Sequence, residues 1–167
     1  MSITKNQIVQ WLQAIASVIE QNKDYLTELD AAIGDADHGI NLHRGFQKVL
    51  TQLPKVEDKD IGSILKTISM TLISSVGGAS GPLYGTFFLR ASIEVTGKEE
   101  LTDAELARLL QAGVEGVVQR GKANLGDKTM LDVLSPAVEA FAEAVTQGRT
   151  TVEALRESVQ IAEVGMK

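Results

Sequence analysis

Apolar residues recur along this chain with the three-and-four spacing of amphipathic helices. Behind a Thr4-x-x-Gln7 capping box, Ile8, Leu12, Ile15 and Ile19 form one stripe. A second helix is predicted from about Lys23 to about Asp30. Between His38 and Leu53, the residues Leu42, Gly45, Phe46, Val49 and Leu50 share a face, and from about Asp60 the pattern continues through Ile61, Ile64, Leu65, Ile68 and Leu72. Pro82 suits a helix's first turn, where its missing N–H costs nothing, so the stretch Leu83 to Val95 is predicted helical. A second box, Thr102-x-x-Glu105, precedes Leu106, Leu109, Leu110, Val114 and Val117. Met130, Val133, Leu134, Val138, Phe141 and Val145 mark another helix, with a bend expected near Pro136. Thr150-x-x-Glu153 opens the last, carrying Leu155, Val159 and Ala162; its pattern runs almost to Lys167, with Gly165 a weak C-cap. The reading is eight helical segments and no strand: an all-α fold of antiparallel up-and-down helices joined by short connections, forming a single domain over residues 1–167.

Composition narrows the chemistry. A chain of 167 residues matches one domain on a prior of roughly 150 residues each. With 44% apolar but 4% aromatic residues, its core must be aliphatic. The absence of cysteine excludes disulfides, thiolate metal sites and cysteine nucleophiles. Sixteen basic against 22 acidic residues leave a net charge of -6, so no basic stripe can neutralise a nucleic acid and no nucleic-acid partner is expected. An anionic ligand must instead be held by metal ions, backbone N–H groups or helix ends. No apolar run approaches the ~18 residues of a membrane span. Met1 to Lys5 lead into Asn6, Gln7 and Gln10 rather than a signal-peptide core, and the expected location is cytoplasmic.

The densest polar cluster runs from Asp30 to Asn41 and contains Gly34, Asp35, Asp37, His38 and Gly39. Helical residues two apart point roughly 200° from each other, so Asp35 and Asp37 can share a ligand only in a turn, which the glycines permit. Asp30, at the end of the preceding helix, completes a three-carboxylate cup. Such a cup repels itself unless a hard divalent cation is present, and oxygen ligands favour Mg²⁺ or Ca²⁺. Helix capping by Asp and Asn is the alternative. An EF-hand is excluded, because its twelfth position falls on Phe46 and its fifth on Gly39.

The segment Val76-Gly77-Gly78-Ala79-Ser80-Gly81-Pro82-Leu83-Tyr84-Gly85 joins two apolar helices. Small residues let backbone approach a ligand, the following helix aims free N–H groups outward, and Ser80 adds a hydroxyl. This is a phosphate cradle or, alternatively, a site of close helix packing. Gly116-x-x-x-x-Gly121-Lys122 and Asp127-Lys128-Thr129 imitate a P-loop but follow a helix where a P-loop follows a strand. The polar connection Gly121 to Met130 reads instead as a loop lining a site. Together these segments suggest a Mg²⁺–nucleotide site at one end of the bundle, with no side chain acting as a covalent nucleophile.

Taken together, Leu29-Asp30, Gly34-Asp35-Ala36-Asp37-His38-Gly39 with Asn41, Gly77 to Gly85, Gly121-Lys122-Ala123 and Gly126 to Asp132 resemble the L subunits of dihydroxyacetone kinases, the Dak-phosphatase-type nucleotide-binding family, over essentially the whole chain. The resemblance implies an eight-helix antiparallel barrel holding ADP or ATP at one end through two Mg²⁺. It further implies that Asp30, Asp35 and Asp37 are metal ligands, that His38, Gly39, Ile40 and Asn41 line the nucleotide, that Ala79 and Ser80 meet its phosphates, and that Gly121 and Met130 lie by the adenine. It implies a phosphotransferase: ADP kept as cofactor is rephosphorylated by the phosphohistidine of a phosphotransferase-system M subunit, and the resulting ATP phosphorylates dihydroxyacetone on a K subunit. The alternatives are an ATP-dependent kinase with exchangeable nucleotide and a nucleotide-state sensor docking to a regulator; a homodimer is a candidate assembly. The family continues into a Gly-Arg-Ala-Ser-containing tail that closes over the nucleotide. This sequence ends before such a tail, so an incomplete lid is expected.

Overall fold

A computed structural model describes residues 2–167, in the order β1 (Ser2–Thr4), α1 (Lys5–Gln21), α2 (Lys23–Ala31), α3 (His38–Val56), α4 (Ile61–Ser75), α5 (Ser80–Glu94), β2 (Glu100–Thr102), α6 (Asp103–Gly121), α7 (Leu131–Thr146) and α8 (Thr151–Gly165). Each helix from α3 onward packs on the next, as α1 and α2 do on α3. Short connections make these neighbours antiparallel. Among the described residues, no helix is long and apolar enough to cross a membrane.

The core is aliphatic, as composition requires. Leu12, Leu53, Ile61, Ile64, Leu65, Ile68, Leu72 and Leu109 are fully buried, with Phe141 the largest side chain among them. α4 is the most deeply embedded helix, and its buried Ser69 is satisfied by donating to the Gly85 carbonyl of α5 at 2.6 Å. Where α5 crosses α6, Gly113 fits against the Phe87 ring and Gly116 against Thr86 and Arg90. α1, α6 and α8 flank an apolar groove of ≈ 280 Å³ lined by Trp11, Leu106 and Leu155.

All three capping boxes form. Gln7, Glu105 and Glu153 accept from the backbone N–H of Thr4, Thr102 and Thr150 at 2.8, 2.8 and 2.9 Å. A fourth cap, at α4, is Asp60, which accepts from Ser63 N–H at 3.1 Å and Gly97 N–H at 2.9 Å. Contacts such as Thr151 Oγ to Asp103 at 2.5 Å, and Asp60 to Gly97, gather the starts of these helices at one end of the molecule. At the opposite end, α3, α5 and α7 start at Asp37, Ala79 and Met130, none of which caps its helix with its own side chain.

The Glu105 carboxyl, bonded first by Thr102 N–H and then by Lys98, is lowered from 4.5 to about 2. As pH falls, the unfolded chain therefore takes up this proton first. The stability that the cap contributes is complete above pH 4.5 and is lost as pH drops towards about 2. Glu105→Gln should accordingly melt below wild type at pH 7, with the gap narrowing when melting is repeated near pH 3.

Two details depart from the sequence expectation. A two-stranded antiparallel ribbon exists, pairing Ser2 with Thr102, Ile3 with Leu101 and Thr4 with Glu100. Three-residue strands are too short to show a period, and their partners lie about a hundred residues apart. α5 begins at Ser80 rather than Leu83, placing Pro82 third in the helix, still within the turn whose N–H groups lack intrahelical partners. As expected, Pro136 lies inside one helix, α7, where it cannot donate to the Asp132 carbonyl; the end of α8 covers that carbonyl at Gly165, where a Cβ would come within 2.5 Å of it.

Candidate functional site

Asp30 is the penultimate residue of α2, and it builds the turn that follows. Its carbonyl accepts from Ile33 and Gly34 N–H at 3.0 and 2.6 Å, while its carboxylate Oδ2 accepts from Asp37 and His38 N–H at 3.0 and 3.2 Å. Ala36 adopts φ +60° to close the loop, a left-handed conformation unusual for a residue with a Cβ. The result brings one oxygen each of Asp30, Asp35 and Asp37 within 4.8 Å of one another. Asp35 and Asp37 are exposed and Asp30 is half-buried. The Asp37 N–H, followed by that of His38, holds the Asp30 carboxyl below its ordinary range, overcoming the opposing effect of desolvation. Asp37 sits at the N-cap position of α3 yet makes no capping bond, so the capping alternative does not describe it. Three carboxylates with their oxygens turned together form an all-oxygen donor set, which suits a hard divalent cation.

Opposite this turn, the starts of α3 and α5 meet: His38 Nδ1 lies 3.1 Å from Ser80 Oγ. Each helix start carries N–H groups without intrahelical partners and the positive end of the helix dipole, a setting that favours anions. One turn into α3, Asn41 is 7% exposed, and its side-chain oxygen accepts from Arg44 Nη2 at 2.7 Å. Its amide lies against Gly77, where an added Cβ would be 3.0 Å from Asn41 Nδ2. Gly78 takes φ +64° in the same loop.

Behind these ends lies a cavity of ≈ 280 Å³, its floor formed by Leu83, Val117, Met130 and Leu131, with Gly121 and Tyr84 at the sides and His38 and Ser80 as polar groups. Burial raises the pKa of the Tyr84 phenol, keeping it a neutral hydrogen-bonding group. A larger cleft of ≈ 940 Å³ continues from it past Asp30, Lys128 and Asp132, the two sharing His38, Thr129 and Met130. The connection between α6 and α7 is held by Asp132, which accepts from Gly126 and Thr129 N–H at 2.5 and 2.9 Å and is lowered in pKa by them in that order. That clamp, with Lys122, Gly126 and Lys128 all at positive φ, keeps Thr129 and Met130 against both cavities. A largely apolar pocket adjoining two helix N-termini and a carboxylate cup has the layout of a nucleotide site.

The structure gathers most of the residues singled out from sequence. Asp30, Asp35 and Asp37 converge, and His38, Ser80, Gly121 and Met130 line one cavity. Ile40 is 50% exposed, its side chain turned to solvent. Gly39 is buried because α3 abuts α2 there, with the Lys23 carbonyl and Thr27 where a side chain would stand. Ala79 stands at the N-cap position of α5. Sequence reasoning did not single out Tyr84 and Thr129 within the two segments it read as site-lining, and it missed Arg44. The Asn41 to Arg44 spacing of three within a helix was the available signal for the last.

The family model described as the DAK2 domain matches residues 32–167. The ADP-binding subunit DhaL of the PEP-dependent dihydroxyacetone kinase of Escherichia coli K12 is 50% identical over 163 residues, covering 98% of this chain and 78% of that one. The ADP-binding subunit DhaL of the PTS-dependent dihydroxyacetone kinase of Lactococcus lactis is 41% identical over 133 residues, 80% of this chain and 67% of that one. The crystal structure of the dihydroxyacetone kinase of C. freundii in its native form superposes with a TM-score of 0.77 over 95% of this chain and 27% of that one; at 22% identity the likeness is one of fold.

Proposed function

This chain belongs to the DAK2 domain family, and from that premise we propose that it is the ADP-binding subunit of a phosphoenolpyruvate-dependent dihydroxyacetone kinase. The observation that carries the reading is the juxtaposition of the Asp30, Asp35 and Asp37 oxygens, within 4.8 Å of one another, with the starts of α3 and α5 joined at His38 and Ser80. In this reading the three aspartates hold Mg²⁺, two ions being expected, and the metal supplies neutralisation of phosphate charge. The chain's own groups bind and orient. His38, the backbone N–H groups of Gly39 and Ile40, the Asn41 amide, and Ala79 and Ser80 line the nucleotide and its phosphates, while Gly121 and Met130 flank the adenine, a soft surface for a purine. Positioning and fixed dipoles lower the barrier, with no covalent enzyme intermediate.

ADP is then a resident phosphate carrier, receiving its phosphoryl group from the phosphohistidine of an M subunit and delivering it to dihydroxyacetone on a K subunit, all in the cytoplasm. A net charge of -6 supports metal-mediated rather than lysine-mediated phosphate binding. The domain spans residues 1–167 in this reading. Two measurements test it. The purified protein should release ADP on denaturation, seen by ultraviolet absorbance and mass. Reconstituted with M and K subunits, it should form dihydroxyacetone phosphate from phosphoenolpyruvate with only catalytic ADP. Turnover proportional to free ATP, with no M subunit required, would replace this reading with that of an exchanging kinase.

A further inference from the structure

We propose that Arg44 is a positioning residue for the phosphate site: it fixes which way the Asn41 amide faces, so that Asn41 presents a hydrogen-bond donor to the nucleotide. Asn41 sits on the first turn of α3 and is 7% exposed, so its side chain is held by protein rather than by water. An amide has one face that accepts and one that donates, and the two are interchangeable by a half-turn of the terminal group. Arg44, one helical turn on, removes that freedom. A guanidinium has only donors, and its Nη2 lies 2.7 Å from Asn41 Oδ1, so the oxygen must face Arg44. Arg44 is itself anchored, its Nε donating to the Ser75 carbonyl at 3.4 Å at the last residue of α4, where the glycine loop begins.

The consequence falls on the other half of the amide. Among the described residues, Asn41 Nδ2 has no protein acceptor, and it stands beside Gly77, close enough that a Cβ there would come within 3.0 Å of it. With no protein acceptor, that N–H is left available to a ligand. A phosphate oxygen, which only accepts, is the complement of this donor. In the flipped state the amide oxygen would face the anion instead and repel it. In this proposal Arg44 selects for an anion through Asn41, its guanidinium being engaged by the Asn41 oxygen and the Ser75 carbonyl.

This inference rests on the nucleotide reading above, and the experiment separates the two. Mg-ADP binding is measured by calorimetry for wild type, Arg44→Met, Arg44→Lys, Asn41→Ala and the Arg44→Met/Asn41→Ala double variant, with melting temperatures recorded alongside. Arg44→Met should weaken Mg-ADP about tenfold, in line with an unmade charge-assisted bond. Arg44→Lys, which retains a donor, should recover to within about threefold of wild type. In the Asn41→Ala background, Arg44→Met should add less than about twofold, because the group it orients has gone. A wild type that does not bind Mg-ADP overturns the nucleotide reading. A wild type that binds, with the Arg44→Met loss undiminished in the Asn41→Ala background, overturns the role of Arg44 alone. If Arg44→Met melts too low to measure, the cycle is run with Arg44→Lys, whose partial loss must vanish in the Asn41→Ala background; its persistence there is equally fatal.

Discussion

Asp35→Ala is expected to abolish tight Mg-ADP binding while leaving the fold intact. Removing residues that merely support a metal ligand costs roughly 10–100-fold in affinity, so losing a direct ligand should cost more than about 100-fold. Asp35 is exposed and, unlike Asp30, makes none of the bonds that shape the turn. Its replacement should therefore change stability by no more than about 0.5 kcal/mol, as for other exposed positions. It also relieves crowding among three carboxylates in the absence of a cation. Calorimetry with Mg-ADP and thermal melting with and without Mg²⁺ check both halves: wild type should melt higher on adding Mg²⁺, and the variant should not. Unchanged Mg-ADP affinity in Asp35→Ala would remove the carboxylate cup from the site. Asp30→Ala is a poorer test, since it also releases the Asp37 and His38 N–H groups and so unmakes the loop.

The second large effect comes from a residue with no side chain. Gly39→Ala should destabilise the protein by about 3 kcal/mol, at the upper end of what overpacking usually costs, and lower Tm by roughly 6–12 °C. The added methyl would run into the Lys23 carbonyl and come within 2.9 Å of Thr27 N, backbone atoms of α2 that cannot rotate aside. α3 would have to move off α2, carrying His38 away from Ser80 and Asp37 away from Asp30, so nucleotide binding should fall with stability. Gly78→Ala is the control. It meets nothing within 4 Å and strains only a φ of +64°, so a cost of about 1–2 kcal/mol with the helix ends undisturbed is expected. Urea unfolding of both variants distinguishes them; equal losses would show that the Gly39 contact is not what seats α3.

How much of this was legible beforehand follows the range of the forces involved. The helices were readable because each buries a stripe repeating within the helix, as Ile61, Ile64, Leu65, Ile68 and Leu72 do in α4. The capping boxes at Thr4, Thr102 and Thr150 were readable because both partners lie three residues apart. The Asp35–Asp37 pair pointed to a turn because no helix could aim the two carboxylates together. The β1–β2 ribbon was not readable, since Ile3 and Leu101 meet only when α1 and α6 start at the same end. Nor was the purpose of Gly39, which as a flexible-turn residue and as a packing residue is the same letter.

What the sequence determined alone is therefore the set of helices, their apolar faces, and an acidic turn and glycine loop able to handle a metal-bound phosphate. What the tertiary structure decided is that α3, α5 and α7 bring their starts to the same end, that the Asp30 carboxylate folds the turn around itself, and that Arg44 bonds the Asn41 oxygen. The division has one cause: hydrogen bonds and apolar periods within a helix depend on neighbours a few residues away, whereas convergence of charges from separate helices depends on packing the whole chain.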